Sequence, residues 1–144
     1  MTMVRPFSPA DLDRVMEIWL AANLQAHCFV PAEYWTGNAP QVRRQLPQAE
    51  LHVYEAGGAV QGFAGLQGDY LAGIFVDGPA RSRGVGRQLL DRCKALHPVL
   101  TLHVYRQNPR AAAFYRREGF AVAAEGIDPD TGQPELTMVW RRAD

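Results

Sequence analysis

One short stretch of this 144-residue chain joins residue types and spacing that could do chemistry: "RSRGVG", Arg81 to Gly86. Apolar residues Val85, Leu89, Leu90, Cys93 and Leu96 follow at helical spacing, so the stretch opens a helix. A helix N-terminus offers unpaired N–H groups and a partial positive charge, which together suit a phosphate. Gly84 and Gly86 carry no Cβ to hold an anion off the backbone. Arg81, Arg83 and Arg87 can add charge-assisted contacts, and the stretch Arg81-Ser82-Arg83-Gly84-Val85-Gly86-Arg87 is where a diphosphate would sit. Two nucleotide motifs are excluded. A P-loop needs Gly-Lys-Ser/Thr, and Arg87-Gln88 follows Gly86. A dinucleotide fingerprint needs a small residue three positions after its second glycine, and Leu89 stands there.

The elements that must position this loop can be read outward from it. "MVRPF" is a short strand. Ser8 caps the next helix, Pro9 suits its first position, and Asp11 stands where a capping-box acid belongs. Leu12, Val15, Met16, Trp19 and Leu20 form its apolar face. A loop runs through Pro31. A second helix from about Ala32 is expected to break near Gly37 to Pro40 and resume through Leu46. Leu51 to Glu55 alternates, Gly57-Gly58 makes a hairpin turn, and Val60 to Leu66 returns. Gln67-Gly68-Asp69 turns the chain again into the strand Tyr70–Val76, completing an antiparallel meander. The loop and its helix follow. "VLTLHVY" is a strand, and "NPRAAAFYRREGF" is a short helix capped by Asn108 and ended by Gly119. Two strands, "AVAAEGI" and "PELTMVW", flank the turn-rich "DPDTGQ". The expected order is β-α-α-β-β-β-α-β-α-β-β, an α+β fold in a single domain spanning residues 1–144.

Fifteen basic residues balance fifteen acidic ones, which disfavours a general nucleic-acid binder. Cys28 and Cys93 form no metal-ligand spacing, so no metal is expected; both read as buried thiols in a reducing, cytoplasmic compartment. No apolar run suggests a signal peptide or a membrane span.

With this layout in view, the sequence resembles the GNAT superfamily of acyl-CoA-dependent N-acetyltransferases. The family's phosphate loop, Gln/Arg-x-x-Gly-x-Gly/Ala, matches "RSRGVG" at every fixed position. Its segment Asn-x-x-Ala-x-x-Phe-Tyr-x-x-x-Gly-Phe matches "NPRAAAFYRREGF" throughout. The stretches "MEIWL", "HCF" and "YW" further resemble small bacterial members, some linked to protein-lysine acetylation. The resemblance implies a mostly antiparallel twisted sheet of about seven strands with four helices, splayed at strands 4 and 5. It implies acetyl-CoA as cosubstrate, with Ile74, Phe75 and Val76 along the pantetheine arm, the Arg81–Arg87 backbone on the diphosphate, and Asn108 on the pantetheine. A primary amine, on a protein or a small molecule, would attack the acetyl carbonyl. Tyr115 matches the family's general acid, and a phenol of pKa about 10 can protonate a thiolate whose thiol has pKa about 8.5. The other reading is an acyl-CoA sensor that does not catalyse. The protein is expected as a monomer or homodimer.

A lysine-type amine has pKa about 10.4 and must lose a proton before it attacks. Many family members place a glutamate near the start of the strand that here begins at Tyr70. This chain has Asp69 and Tyr70 there, so Asp69, His27, Glu33 and His103 are the candidate bases. The acceptor pocket is expected between residues 25–45 and the "GIDPDTGQPE" loop, with His27, Phe29, Glu33, Tyr34, Trp35 and Asp69 around it. Glu33, Asp69, Glu125 and Asp128 are its candidate acids. His52 and His97 read as surface residues.

Overall fold

A computed structural model describes residues 2–143. Its elements are strand β1 (Thr2–Pro6), helices α1 (Leu12–Ala26) and α2 (Ala32–Gln45), the meander β2 (Glu50–Ala56), β3 (Ala59–Gln67) and β4 (Tyr70–Val76), then α3 (Val85–Leu96), β5 (Val99–Tyr105), α4 (Pro109–Arg117), β6 (Ala121–Ile127) and β7 (Pro134–Arg141). The strands form one sheet in the order β1-β2-β3-β4-β5-β7-β6. All pairings are antiparallel except β4 with β5, which is parallel and reduced to one pair, Tyr70 with Thr101. The Thr101 N–H donates to the Asp69 carbonyl at 3.0 Å, and past this point the two strands part.

The local cause of the parting is visible in the register. Between the pairs Leu66–Leu71 and Gly65–Gly73, β3 advances one residue and β4 advances two. Ala72 is the extra residue, a bulge that bends β4. Two cores result, one on each face of the sheet. Helices α3 and α4 cover a continuous core from Tyr54 and Leu66 through Leu89, Leu90 and Leu100 to Met138. Helices α1 and α2 cover a second core, with Val15, Ile18, Trp19, Trp35, Val53 and Phe63, on the β2–β4 side. On that face β5 presents Thr101, His103 and Tyr105, none of them fully buried.

Three expectations need correcting. Helix α2 runs unbroken through Gly37 and Pro40. Pro40 cannot bond the Thr36 carbonyl, yet Trp35 is buried and Tyr34, Ala39, Val42 and Leu46 pack on the same core. Packing outweighs the lost backbone bond. Cys28 is exposed; only Cys93 is buried, where burial pushes its thiol up to about 12. His52 is also buried, with Nε2 2.7 Å from Glu50 Oε2.

The start of α1 follows the sequence signals. The Ser8 N–H donates to Asp11 Oδ2 at 2.8 Å, and Arg5 grips the same carboxylate with two N–H groups at 2.9 and 3.0 Å. Arg5 also donates to Glu55 Oε1, at 2.9 and 3.2 Å, which ties β1, β2 and the helix entry together. The Arg5 hydrogen bonds lower the Asp11 pKa. A carboxyl with a depressed folded-state pKa adds stability above its unfolded pKa and loses it as pH falls through the folded value. Asp11→Asn is therefore expected to cost about 2 kcal/mol at neutral pH, and this deficit shrinks as pH falls below about 4. Denaturant unfolding of both proteins across that range checks it.

Candidate active site

The gap between β4 and β5 opens into two cavities that share a wall. The first, about 540 Å³, lies against Ile74, Phe75 and Val76 and extends to the start of α3. The second, about 480 Å³, runs from Tyr70 and Gly73 across β5 to the β6–β7 loop. Both are lined by Ile74, Phe75, Asn108, Ala111 and Tyr115, with Asn23 and His27 from α1 and its end.

The first cavity has the features of an anion site. Gly84 is the N-cap of α3 with φ +81°, a conformation that L side chains rarely adopt, and Ser82 before it has φ +62°. Gly84, Val85, Gly86 and Arg87 line the cavity, and the first N–H groups of a helix have no partner within it. A Cβ at Gly86 would lie 3.6 Å from Phe114 and 3.9 Å from Ile74, so a larger side chain there enters the cavity. Arg81 and Arg87 line it, whereas Arg83 does not. Arg110 and Arg117 line it as well, and Arg110 Nη2 donates to Ser82 Oγ at 3.2 Å. Sequence reading missed these two arginines. With Phe114 they fall at i, i+4 and i+7 on α4, a face that helical spacing alone could have revealed.

The second cavity has the opposite character. Asp128, Asp130 and Glu135 line it, and no lysine or arginine does among the described residues. The Tyr105 hydroxyl donates to Asp128 Oδ2 at 2.6 Å, and the Asp130 N–H donates to Asp128 Oδ1 at 2.8 Å. Burial opposes its charge, but these hydrogen bonds hold the Asp128 carboxyl below its ordinary range. At the exposed side of the same cavity, the Tyr70 hydroxyl lies 3.1 Å from His103 Nδ1. Of the candidate pocket residues, His27 and Trp35 line this cavity. Phe29 stacks behind on His27 and Tyr105, and Tyr34 packs on Trp35. Glu33 is exposed on the first turn of α2. Asp69 turns away to His97, with 3.3 Å between Oδ1 and Nδ1, and Glu125 pairs with Arg106. Of the candidate acids only Asp128 is in the wall, while Asp130 from the β6–β7 turn and Glu135 from the start of β7 were not singled out, although both lie in the "GIDPDTGQPE" segment expected to border the pocket.

Tyr115 stands where the cavities meet. It is 7% exposed, and its hydroxyl bonds no other described residue. Burial, then the neighbouring Cys93 and Tyr70, raise its pKa above the ordinary phenol value. Tyr70 and Tyr105 are raised too, each chiefly by burial and then by nearby carboxylates.

The splayed sheet, the helix N-terminus with arginines at one end of the gap and the buried phenol at its centre make one cleft with a basic end and an acidic end. A domain model described as acetyltransferase (GNAT) matches residues 47–122. The peptidyl-lysine N-acetyltransferase YiaC of Escherichia coli is 34% identical over 140 residues, covering 96% of each chain. The peptidyl-lysine N-acetyltransferase YjaB of the same organism is 34% identical over 123 residues, covering 85% of this chain and 84% of its own. The solution structure of apo YjaB superposes with a TM-score of 0.87 at 30% identity, over 99% of both chains. The chain belongs to the GNAT acetyltransferase family and is an N-acetyltransferase.

The raised phenols are directly measurable. In an ultraviolet titration of the native protein, most of the five tyrosines should still be protonated at pH about 10. The unfolded chain should be about half ionised there. Tyr115→Phe should remove one late-titrating group from the native curve and leave the early part unchanged.

Proposed function

We propose that this protein transfers the acetyl group of acetyl-CoA to the side-chain amine of a lysine in a protein. The observation that carries the reading is the meeting of a basic cavity and an acidic one at the Tyr115 hydroxyl. Acetyl-CoA supplies the activated acyl carbon. The N–H groups at the start of α3, with Arg81, Arg87, Arg110 and Arg117, suit its phosphates. The β4 edge facing β5 is unpaired beyond Tyr70 among the described residues, so its backbone can bond the pantetheine arm and the oxyanion. A structure sharing this fold, yncA of Salmonella typhimurium, holds acetyl-CoA, at 20% identity over 99% of this chain and 95% of its own, with a TM-score of 0.73.

On the acceptor side, Asp128, Asp130 and Glu135 attract a lysine side chain in its ammonium form. The names of YiaC and YjaB support a peptidyl lysine over a free amine. The ammonium must then lose a proton, and His103 is the base within reach, with Tyr70 between it and the gap. The amine nitrogen bonds the acyl carbon, the carbon–sulfur bond breaks as Tyr115 gives its proton to the departing sulfur, and the second proton that the amine nitrogen sheds on becoming an amide restores the phenol. The raised pKa of Tyr115 keeps that proton in place until the thiolate forms.

CoA and acetyl-CoA are expected to raise the melting temperature, and Gly86→Val to abolish that rise without unfolding the protein. Tyr115→Phe should keep the ligand-induced rise and lower kcat on a lysine peptide by roughly 100-fold or more. His103→Ala should lower kcat on a lysine peptide while keeping the ligand-induced rise in melting temperature. Thermal protection by CoA without CoA release from any lysine peptide would favour a sensor instead, and no protection at all would overturn the proposal.

A further inference from the structure

His27 sits at the junction of the two cavities, and its environment fixes its protonation. The Asn23 amide group Nδ2 donates to the Trp19 carbonyl at 2.9 Å, so Oδ1 is the atom it presents to His27, 2.9 Å from Nδ1. The Asn108 Oδ1 accepts from the Ala111 N–H at 3.3 Å, so Nδ2 is the atom it presents, 3.2 Å from His27 Nε2. Each amide is oriented by a backbone group, and the two impose one tautomer. Nδ1 carries the hydrogen and Nε2 accepts. A proton on Nε2 would face the Asn108 NH₂ group, donor against donor. Burial acts in the same direction and pushes the imidazole down to about 4.

The same ring joins two parts of the molecule that the sheet leaves apart. Asn23 belongs to α1, which packs on β3 and β4, while Asn108 caps α4, which packs on β5. Between those halves the sheet itself supplies one backbone pair, at Tyr70 and Thr101. On the α1 face the Tyr70–His103 contact crosses beside that pair, and His27 crosses between α1 and α4, with Phe29 and Tyr105 stacked edge-on to its ring at 5.7 and 5.0 Å.

We infer that His27 is a neutral positioning residue, which spans the cleft by hydrogen bonds from Asn23 to Asn108 and sets the gap between β4 and the start of α4. It is therefore no general base, although its pKa class and its place in the pocket suggest one. Only the kinetic part of the test rests on the acetyl-transfer reading above.

Glutamine can reproduce the pattern, with an amide N–H toward Asn23 and an amide oxygen toward Asn108, but it cannot take a proton. His27→Gln should keep most of the wild-type kcat and an unchanged pH profile. His27→Ala should raise the KM for acetyl-CoA and lower kcat/KM by roughly tenfold, the worth of one or two hydrogen bonds. A His27→Gln enzyme as inactive as His27→Ala, or one that loses the acidic limb, would overturn the inference. The second measurement needs no turnover and no variant. Nitrogen NMR of the wild-type imidazole should show Nδ1–H, a bare Nε2, and no titration near pH 6.5. The Nε2–H tautomer, or ordinary titration, would overturn the inference even if acetyl transfer were confirmed. The expected tautomer would support it even if every lysine peptide tried failed as an acceptor.

Discussion

The parting of β4 from β5 is the constraint on which the molecule depends. A parallel pair inside an otherwise antiparallel sheet brings side by side two strands that share one backbone pair. Unpaired backbone N–H and C=O groups are costly when buried, so such an opening persists only where something else satisfies them. The bulge at Ala72 bends β4 so that the gap widens away from Tyr70. The continuous core under α3 and α4 holds the two halves together on one face. On the other face the halves are left free to frame a cleft. A sheet paired along its whole length would be better satisfied, and it would have no room for a ligand.

This arrangement explains why the functional groups lie where they do. Tyr115 is carried by α4, on the face whose core crosses the gap, so its phenol is held rigidly at the centre. Tyr70 and His103 come from the two strands at the point where they last touch, and they stay within 3.1 Å because the backbone pair is next to them. The charge at the two ends of the gap comes from loops and from the element ends next to them. Arg81 comes from the turn before α3, Arg87 from the first turn of α3, and Arg110 and Arg117 from α4, while Asp128 and Asp130 come from the β6–β7 turn and Glu135 from the start of β7.

Much of this was legible in the sequence, and the limits have physical causes. Every strand and α-helix was readable from alternation, caps and turn residues, because those signals are local. Helix α2 was misread at Gly37 and Pro40 because local propensity spoke against it, and only the burial of Trp35 spoke for it. The Arg81–Gly86 turn and the Asn108–Phe120 segment were legible as a pair of motifs. Arg110 and Arg117 were legible in principle, since both share a helical face with Phe114. For Asp130 and Glu135 the sequence signalled the segment, "GIDPDTGQPE", but not which of its carboxylates face the cavity, because no spacing encodes the direction of a turn. Asp69 failed as an acceptor-side acid for a similar reason: the parity of a strand start decides which face it takes, and here His97 holds it on the other one.

The zero net charge, which argued against a polyanion partner, hides a strong internal polarity. Arg81, Arg87, Arg110 and Arg117 stand at one end of the gap, softened by Glu118, which lies 3.8 Å from Arg87. Asp128, Asp130 and Glu135 stand at the other. Fields of this kind act within a Debye length of about 8 Å at physiological salt, so each cavity responds to its own charges and hardly to the sum. An anionic arm and a cationic arm are thus drawn to opposite ends of one cleft, each repelled from the other's site. Between the ends the lining is neutral: Ile74, Phe75, Ala111, a protonated Tyr115, and the uncharged chain of Asn23, His27 and Asn108. A charged imidazole there would sit between the two fields and repel an incoming ammonium. Oriented by the two asparagines, with burial favouring its neutral form, His27 leaves the middle of the cleft without a formal charge between its basic and acidic ends.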